Sequence, residues 1–190
     1  VSQNAGVSLK SFYTGVSHQY HFSKNLHNRT GVYGNFVQFE NPAIRNYERR
    51  TEQNLGARSV TDFTFDVAGW KTKLIGGGEF MSGFSPIKTY QNLQGVPGQL
   101  QSDDEAKSLQ YNVFGQGELS KQNWIATGGL SVNWVSYKLW QLSNSPALQQ
   151  EVKYDPIVTP RVALLRKINN AFSVHGNISW GFSPPTLAEV

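Results

Sequence analysis

Three arginines, Arg45, Arg49 and Arg50, crowd one polar stretch of the chain, and Tyr90 and Trp140 stand in two others. A guanidinium forks onto paired anionic oxygens and an aromatic ring offers a flat contact face, so these five residues are candidate contacts for an anionic chelate. Other clusters carry less. His18 and His21 are three apart, which on a strand sends them to opposite faces and argues against shared chelation. His27 is expected in a turn and His175 on a polar strand face. Asp103-Asp104-Glu105 matches no calcium-loop spacing and reads as a solvated acidic loop. Gly76-Gly77-Gly78 lacks the Gly-Lys-Ser/Thr continuation of a phosphate loop and, inside a strand pattern, reads as a bend or bulge. No His or Ser is set with acids as a hydrolytic centre requires, so neither a catalytic residue nor a metal or cofactor site is expected.

These side chains need a scaffold, and its pattern is clearest near the end of the chain. From Ala171 to Trp180 the residues alternate, with Phe172, Val174, Gly176, Ile178 and Trp180 on one face and Ser173, His175, Asn177 and Ser179 on the other. Such a run, tilted by ~45°, covers roughly 20 Å, close to the height of the apolar band on a membrane β-barrel. Two more faces read alike: Tyr111, Val113, Gly115, Gly117 and Leu119, then Trp124, Ala126, Gly128, Leu130, Val132 and Trp134. A sandwich core would want bulk throughout, whereas these faces are glycine-rich and aromatic at their ends. Trp124, Trp134 and Trp180 are expected at the membrane interface, where an indole buries its ring among acyl chains and leaves its N–H among headgroups. Phe114 and Ile125 interrupt the polar face, and after Trp134 the apolar set passes to Val135, Tyr137 and Leu139. A bulge, or a strand leaving the bilayer, would each account for that change.

The strands expected are Val7 to Phe22, Thr30 to Glu40, Gly56 to Asp66, Lys71 to Phe84, Leu109 to Leu119, Trp124 to Tyr137, Ile157 to Ile168 and Ala171 to Trp180, with almost no helix. Every second connection is long: Asn41 to Leu55, Ser85 to Ser108 and Lys138 to Pro156. In an up-and-down meander these share one rim, which gathers Arg45, Arg49, Arg50, Tyr90 and Trp140 there. The fold class expected is all-β, an antiparallel up-and-down meander of about eight long strands forming part of a larger transmembrane β-barrel. The first two strands mix polar and apolar residues on both faces and leave their orientation open.

Composition removes some classes. The chain of 190 residues has no cysteine, which excludes disulfides and thiolate metal sites. Its net charge of +4 is scattered, so no nucleic-acid surface is expected. Negative mean hydropathy and the lack of a long apolar run exclude a membrane helix but not a barrel, whose strands show lipid only half their residues.

The stretch Ser179-Trp180-Gly181-Phe182-Ser183-Pro184-Pro185-Thr186-Leu187-Ala188-Glu189 resembles one in the β-barrels of TonB-dependent receptors, where a strand ends in a Gly-Phe pair followed by Pro-Thr and a Glu. Thr159-Pro160-Arg161-Val162-Ala163-Leu164 looks like the strand before it, and Phe114-Gly115-Gln116-Gly117-Glu118-Leu119 and Asn41 to Glu48 fit less specifically. Where many members carry arginines around the Gly-Phe pair, this chain has Trp180 and Ser183. The resemblance implies a receptor in the outer membrane of a Gram-negative bacterium, with a barrel of about 22 strands around an N-terminal plug. It implies uptake of a scarce nutrient such as a ferric siderophore, energised through the plug by the inner-membrane TonB complex, with outer-membrane lipid as a further partner. Residues 1–190 are then expected to be a single segment of that barrel, without plug or coupling box. A small passive barrel or surface adhesin is the alternative.

Overall fold

The computed structural model describes residues 4–183, so Pro184 to Glu189 of the Gly-Phe stretch fall outside the described residues. The described chain is one antiparallel sheet of nine strands: β1 (Ser8–His21), β2 (Leu26–Pro42), β3 (Asn46–Val67), β4 (Trp70–Leu93), β5 (Val96–Lys121), β6 (Trp124–Gln141), β7 (Leu148–Lys153), β8 (Ile157–Lys167) and β9 (Ser173–Ser179). Neighbours in space are neighbours in sequence, except that β7 and β8 both pair with β6, β7 at Ser136 to Gln141 and β8 at Trp124 to Asn133.

The strands outrun the alternation that signals them. β3, β4 and β5 are 22, 24 and 26 residues long. The segments Asn41 to Leu55 and Ser85 to Ser108, expected as long loops, are therefore mostly paired strand. The β2–β3 turn occupies residues 43–45 only, and β4 and β5 close on Gln94-Gly95, both at positive φ (54° and 90°), the two-residue turn whose twist suits a hairpin. Beyond an apolar environment both faces of a hairpin meet water, so the ladder no longer needs a period-2 pattern. Cross-strand ion pairs support it instead: Arg49 Nε lies 3.2 Å from Glu40 and Lys88 Nζ 3.3 Å from Asp103, each pair directly opposed in register. The stretch Lys138 to Pro156 likewise contains β7, whose run Leu148-Gln149-Gln150-Glu151-Val152-Lys153 has no apolar periodicity to announce it. Glu151 is 3.0 Å from Lys153 and 3.5 Å from Lys138, and the hydrogen bond from Lys153 leads in holding its carboxyl below the usual range.

Directly opposed residues share a face, so the register assigns both faces across the sheet. One face carries Phe12, Val16, Val32, Phe36, Phe63, Leu74, Phe80, Val113, Leu130, Val162 and Ile178, all exposed, which settles β1 and β2. The other carries Gln19, Arg29, Arg58, Lys73, Glu79, Gln116, Arg161 and His175. Pairing of β5 with β6 is unbroken from Lys121↔Trp124 to Asp104↔Gln141, so no bulge follows Trp134. Val135, Tyr137 and Leu139 lie on the polar-side face above the apolar belt, with Val135 and Tyr137 buried there beside Val37, Ser85 and Ala106. Gly76 to Gly78 also pair in register, with Gly115 to Val113. That bend or bulge is absent, and the irregularities of β4 fall at Thr89 to Asn92 instead. Gly77 serves close packing: a Cβ there would run into the Ser59 carbonyl and stand 2.8 Å from Cζ of Phe114.

No large side chain is fully buried among the described residues. A single layer with an exposed apolar belt, and with one side of β1 and of β9 unpaired, has nothing in water to cover it. The isolated chain is expected to aggregate unless detergent is present; a monodisperse, detergent-free monomer with cooperative unfolding in size-exclusion and denaturation experiments would contradict that.

Candidate functional site

The hairpin rim brings some of the five candidate contacts together and separates others. Arg45 is exposed in the β2–β3 turn, where its carbonyl accepts the Asn92 N–H at 3.1 Å and so ties this turn to the neighbouring hairpin. Arg49, Arg50 and Tyr90 line one cavity of about 440 Å³. Trp140 lies on β6, away from it, with Lys107 Nζ 5.2 Å from its ring. All but Arg45 stand on strands, because the hairpins are paired to their tips. The register then divides them: Arg49, Tyr90 and Trp140 share the face of the apolar belt, and Arg50 is on the polar face. Arg50 stacks 4.7 Å over Phe39 and is paired with Glu48 at 3.2 Å and Glu52 at 2.8 Å.

On the belt face, Trp134 stacks on Tyr111 (5.0 Å, 12° between planes) toward the hairpin end. Trp124 stands at the short-turn end with the Arg166 guanidinium 4.9 Å over its ring. Trp180 is exposed on this face, and its backbone N–H donates to the Pro160 carbonyl at 3.0 Å.

The polar face holds a network that no local sequence signal announces, since its members are far apart in the chain. The Tyr33 hydroxyl donates to Glu79, Arg58 Nη1 lies 3.1 Å from the other carboxylate oxygen of Glu79, and the Arg58 guanidinium sits 5.3 Å over Phe114. Gly56 leaves space for the Tyr33 ring, 2.5 Å from where a Cβ would be. Phe114 therefore sits on the polar face as a platform under a cation. Beside this network a cavity of about 520 Å³ is lined by Arg29, Arg58, Lys73, His27 and Asp62. His27 belongs to β2 rather than a turn, because the β1–β2 connection closes already at Leu26, and its ring lies 4.5 Å from that of His21. Asp103-Asp104-Glu105 is strand rather than loop, so Asp104 points away from its two neighbours and the three cannot converge. Among the described residues no group of three acids or histidines is placed to hold a metal.

An antiparallel sheet with an apolar, aromatic-edged belt on one face and charged networks on the other is a wall segment of a transmembrane β-barrel. The family model described as TonB dependent receptor-like, beta-barrel matches residues 2–190, and the chain belongs to that family. No curated protein matches the chain. Among solved structures it is similar to the ferric citrate transporter FecA in the unliganded form (TM-score 0.81, 10% identity, 90% of this chain and 27% of that one). It is also similar to the siderophore receptor PiuA from Acinetobacter baumannii (0.75, 10%, 92% and 32%) and the alcaligin receptor FauA from Bordetella pertussis (0.74, 13%, 91% and 29%). The chain thus spans about a third or less of each of these.

Proposed function

We propose that this wall belongs to an outer-membrane receptor of a Gram-negative bacterium that imports an iron chelate such as a ferric siderophore. The observation that carries the reading is the two-faced sheet whose hairpins continue past the apolar belt, in a chain of this family. The ferric citrate transporter and the siderophore receptors of like fold support the ligand class. Import is binding and gating, without covalent chemistry. The hairpin rim captures the ligand, with Arg45 at a tip and Arg50 on the inward face as the cations nearest its path. The polar face, with its Arg29, Arg58 and Lys73 cavity, lines the passage around a plug through which the TonB complex supplies energy. Residues 1–190 are a single segment of this barrel.

The test is to cut the β2–β3 and β4–β5 hairpins of the full-length receptor back to register pairs just above the belt, such as Val37↔Glu52 and Ser85↔Ala106, and to remove β7. Whole-cell uptake of radioiron-loaded chelates is expected to vanish while the barrel still inserts. Unchanged uptake and affinity, with surface exposure verified, would refute capture at this rim.

A further inference from the structure

On the polar face, just above the Arg58–Glu79 pair, lies a third cavity, of about 580 Å³, whose walls include Tyr13, Tyr33, Asn35, Asn54 and Met81. None of these side chains is charged at neutral pH. Tyr13 is exposed there, and a phenol ring attracts a cation over its face. Asn35 brings a second signal: its Oδ1 is turned from solvent and has no hydrogen-bond partner among the described residues. A buried acceptor without a donor is costly, and a ligand N–H in the cavity would supply one. The level is that of Phe36, the uppermost large apolar residue of the belt on β2, so in the proposed barrel the cavity is the first wall a captured ligand meets below the rim.

Above the cavity the register sorts charge by sign. Lys10, Arg49, Lys88, Lys107 and Lys138 all turn to the belt face. Among the described strand residues, the polar face at this height carries three carboxylates, Glu48, Glu52 and Asp104, and one guanidinium, Arg50. Arg50 is neutralised between Glu48 at 3.2 Å and Glu52 at 2.8 Å. Asp104 lies on the rung of Arg50, two strands across through Ile87 and about 10 Å away, and has no ion pair among the described residues. Glu52 stands about 7 Å above Asn54 of the cavity wall, on the same strand and face. Val37, Ala106, Val135 and Tyr137 are buried around these rungs, and a wall of low dielectric focuses the field of the carboxylates on the cavity mouth. The inward rim is therefore acidic, the reverse of what its arginines suggest by residue type. An anionic chelate is repelled on entry and finds no cation in the cavity, whereas an ammonium group finds carboxylates, aromatic faces and an open acceptor.

We propose that this cavity and the rim above it select a ferric chelate that is cationic through a free ammonium group, of the hydroxamate type, and reject polyanionic chelates, with Glu48, Glu52 and Asp104 setting the preference. Hydroxamates bind iron as monoanions, so three of them leave the complex uncharged and an ammonium makes it a cation; catecholates bind as dianions and leave it strongly anionic. The inference rests on the import reading of the preceding subsection. The test uses the full-length receptor in mild detergent and three ferric probes: a linear trihydroxamate with a terminal ammonium, the same molecule succinylated at that amine, and a tricatecholate. The ammonium form is expected to bind about tenfold or more tightly than its succinylated twin, with the tricatecholate weaker still, and the ratio should shrink as salt rises. Asp104→Asn, which breaks no ion pair of the described residues, should lower the ratio about threefold. Glu48→Gln together with Glu52→Gln, which frees Arg50, should abolish or reverse it. Lys10→Gln, on the belt face, should leave it unchanged. Equal or tighter binding of the succinylated form or the tricatecholate, a ratio indifferent to the inward variants, or one moved as far by Lys10→Gln as by Asp104→Asn would overturn the assignment. Binding of none of the three probes would refute the import reading itself, and this inference with it.

Discussion

Ile178→Arg in the full-length receptor is expected to remove most of the folded barrel from the outer membrane, while Asn177→Arg leaves it in place. The two positions are adjacent on β9 and differ only in face. Ile178 opposes Val162, which opposes Gly128, within the exposed apolar belt. Asn177 opposes Ala163 on the side of His175 and Arg161. A cation at mid-bilayer depth on the lipid face costs ~2–4 kcal/mol, whereas one facing a wet lumen stays hydrated. Such a cost is a large part of a marginal folding free energy, so the difference should be visible as the heat-modifiable band in isolated membranes. Equal assembly of the two variants would refute the face assignment of the whole sheet, because a single register fixes it.

The second large effect concerns two glycines that look alike in sequence. Gly77→Val should impair assembly severely, and Gly115→Val should be close to neutral. Gly76 opposes Gly115, so Gly77 and Gly115 lie almost side by side, on opposite faces. A Cβ on Gly77 meets a backbone carbonyl, Ser59, together with the Phe114 ring. The carbonyl is part of the ladder and cannot step aside, and overpacking of this kind costs about 1–3 kcal/mol or more. Around Gly115 a Cβ finds nothing within 4 Å, and a β-branched side chain there would add to the belt. Refolding yield into lipid vesicles would check this; equal yields would mean that the wall yields at Gly77.

The all-β meander, its strand order and the belt were legible because lipid imposes strict alternation on one face, as in Val174, Gly176 and Ile178. The hairpin ends were not, for a related physical reason. Arg49, Glu40, Lys88 and Asp103 lie where water wets both faces, so a strand there resembles a loop in composition, and its pairing is held by ladder hydrogen bonds and opposed charges. β7 was illegible on the same grounds. The candidate arginines were found by residue type, but their faces were not, because the face of Arg49 is set by pairing with Glu40 and Lys88 and not by its neighbours in sequence. The network of Tyr33, Arg58, Glu79 and Phe114 left no trace for the same reason: only the register assembles it.

The ladder between β2 and β3, unbroken from belt to hairpin tip, also constrains how such a rim diversifies. Insertion of one residue into β3 between Arg50 and the belt would reverse the parity of everything beyond it, turning Arg49 inward and Arg50 outward. Insertion of two would lengthen the hairpin and leave every side chain on its own face. The irregular pairing at Thr89 to Asn92 follows the same rule, since its two one-residue shifts against β5 add up to an even change. Descendants of this sequence should therefore vary in hairpin length by even steps, or carry a new bulge wherever they do not, and lineages that change ligand without changing parity will do so by exchanging rungs.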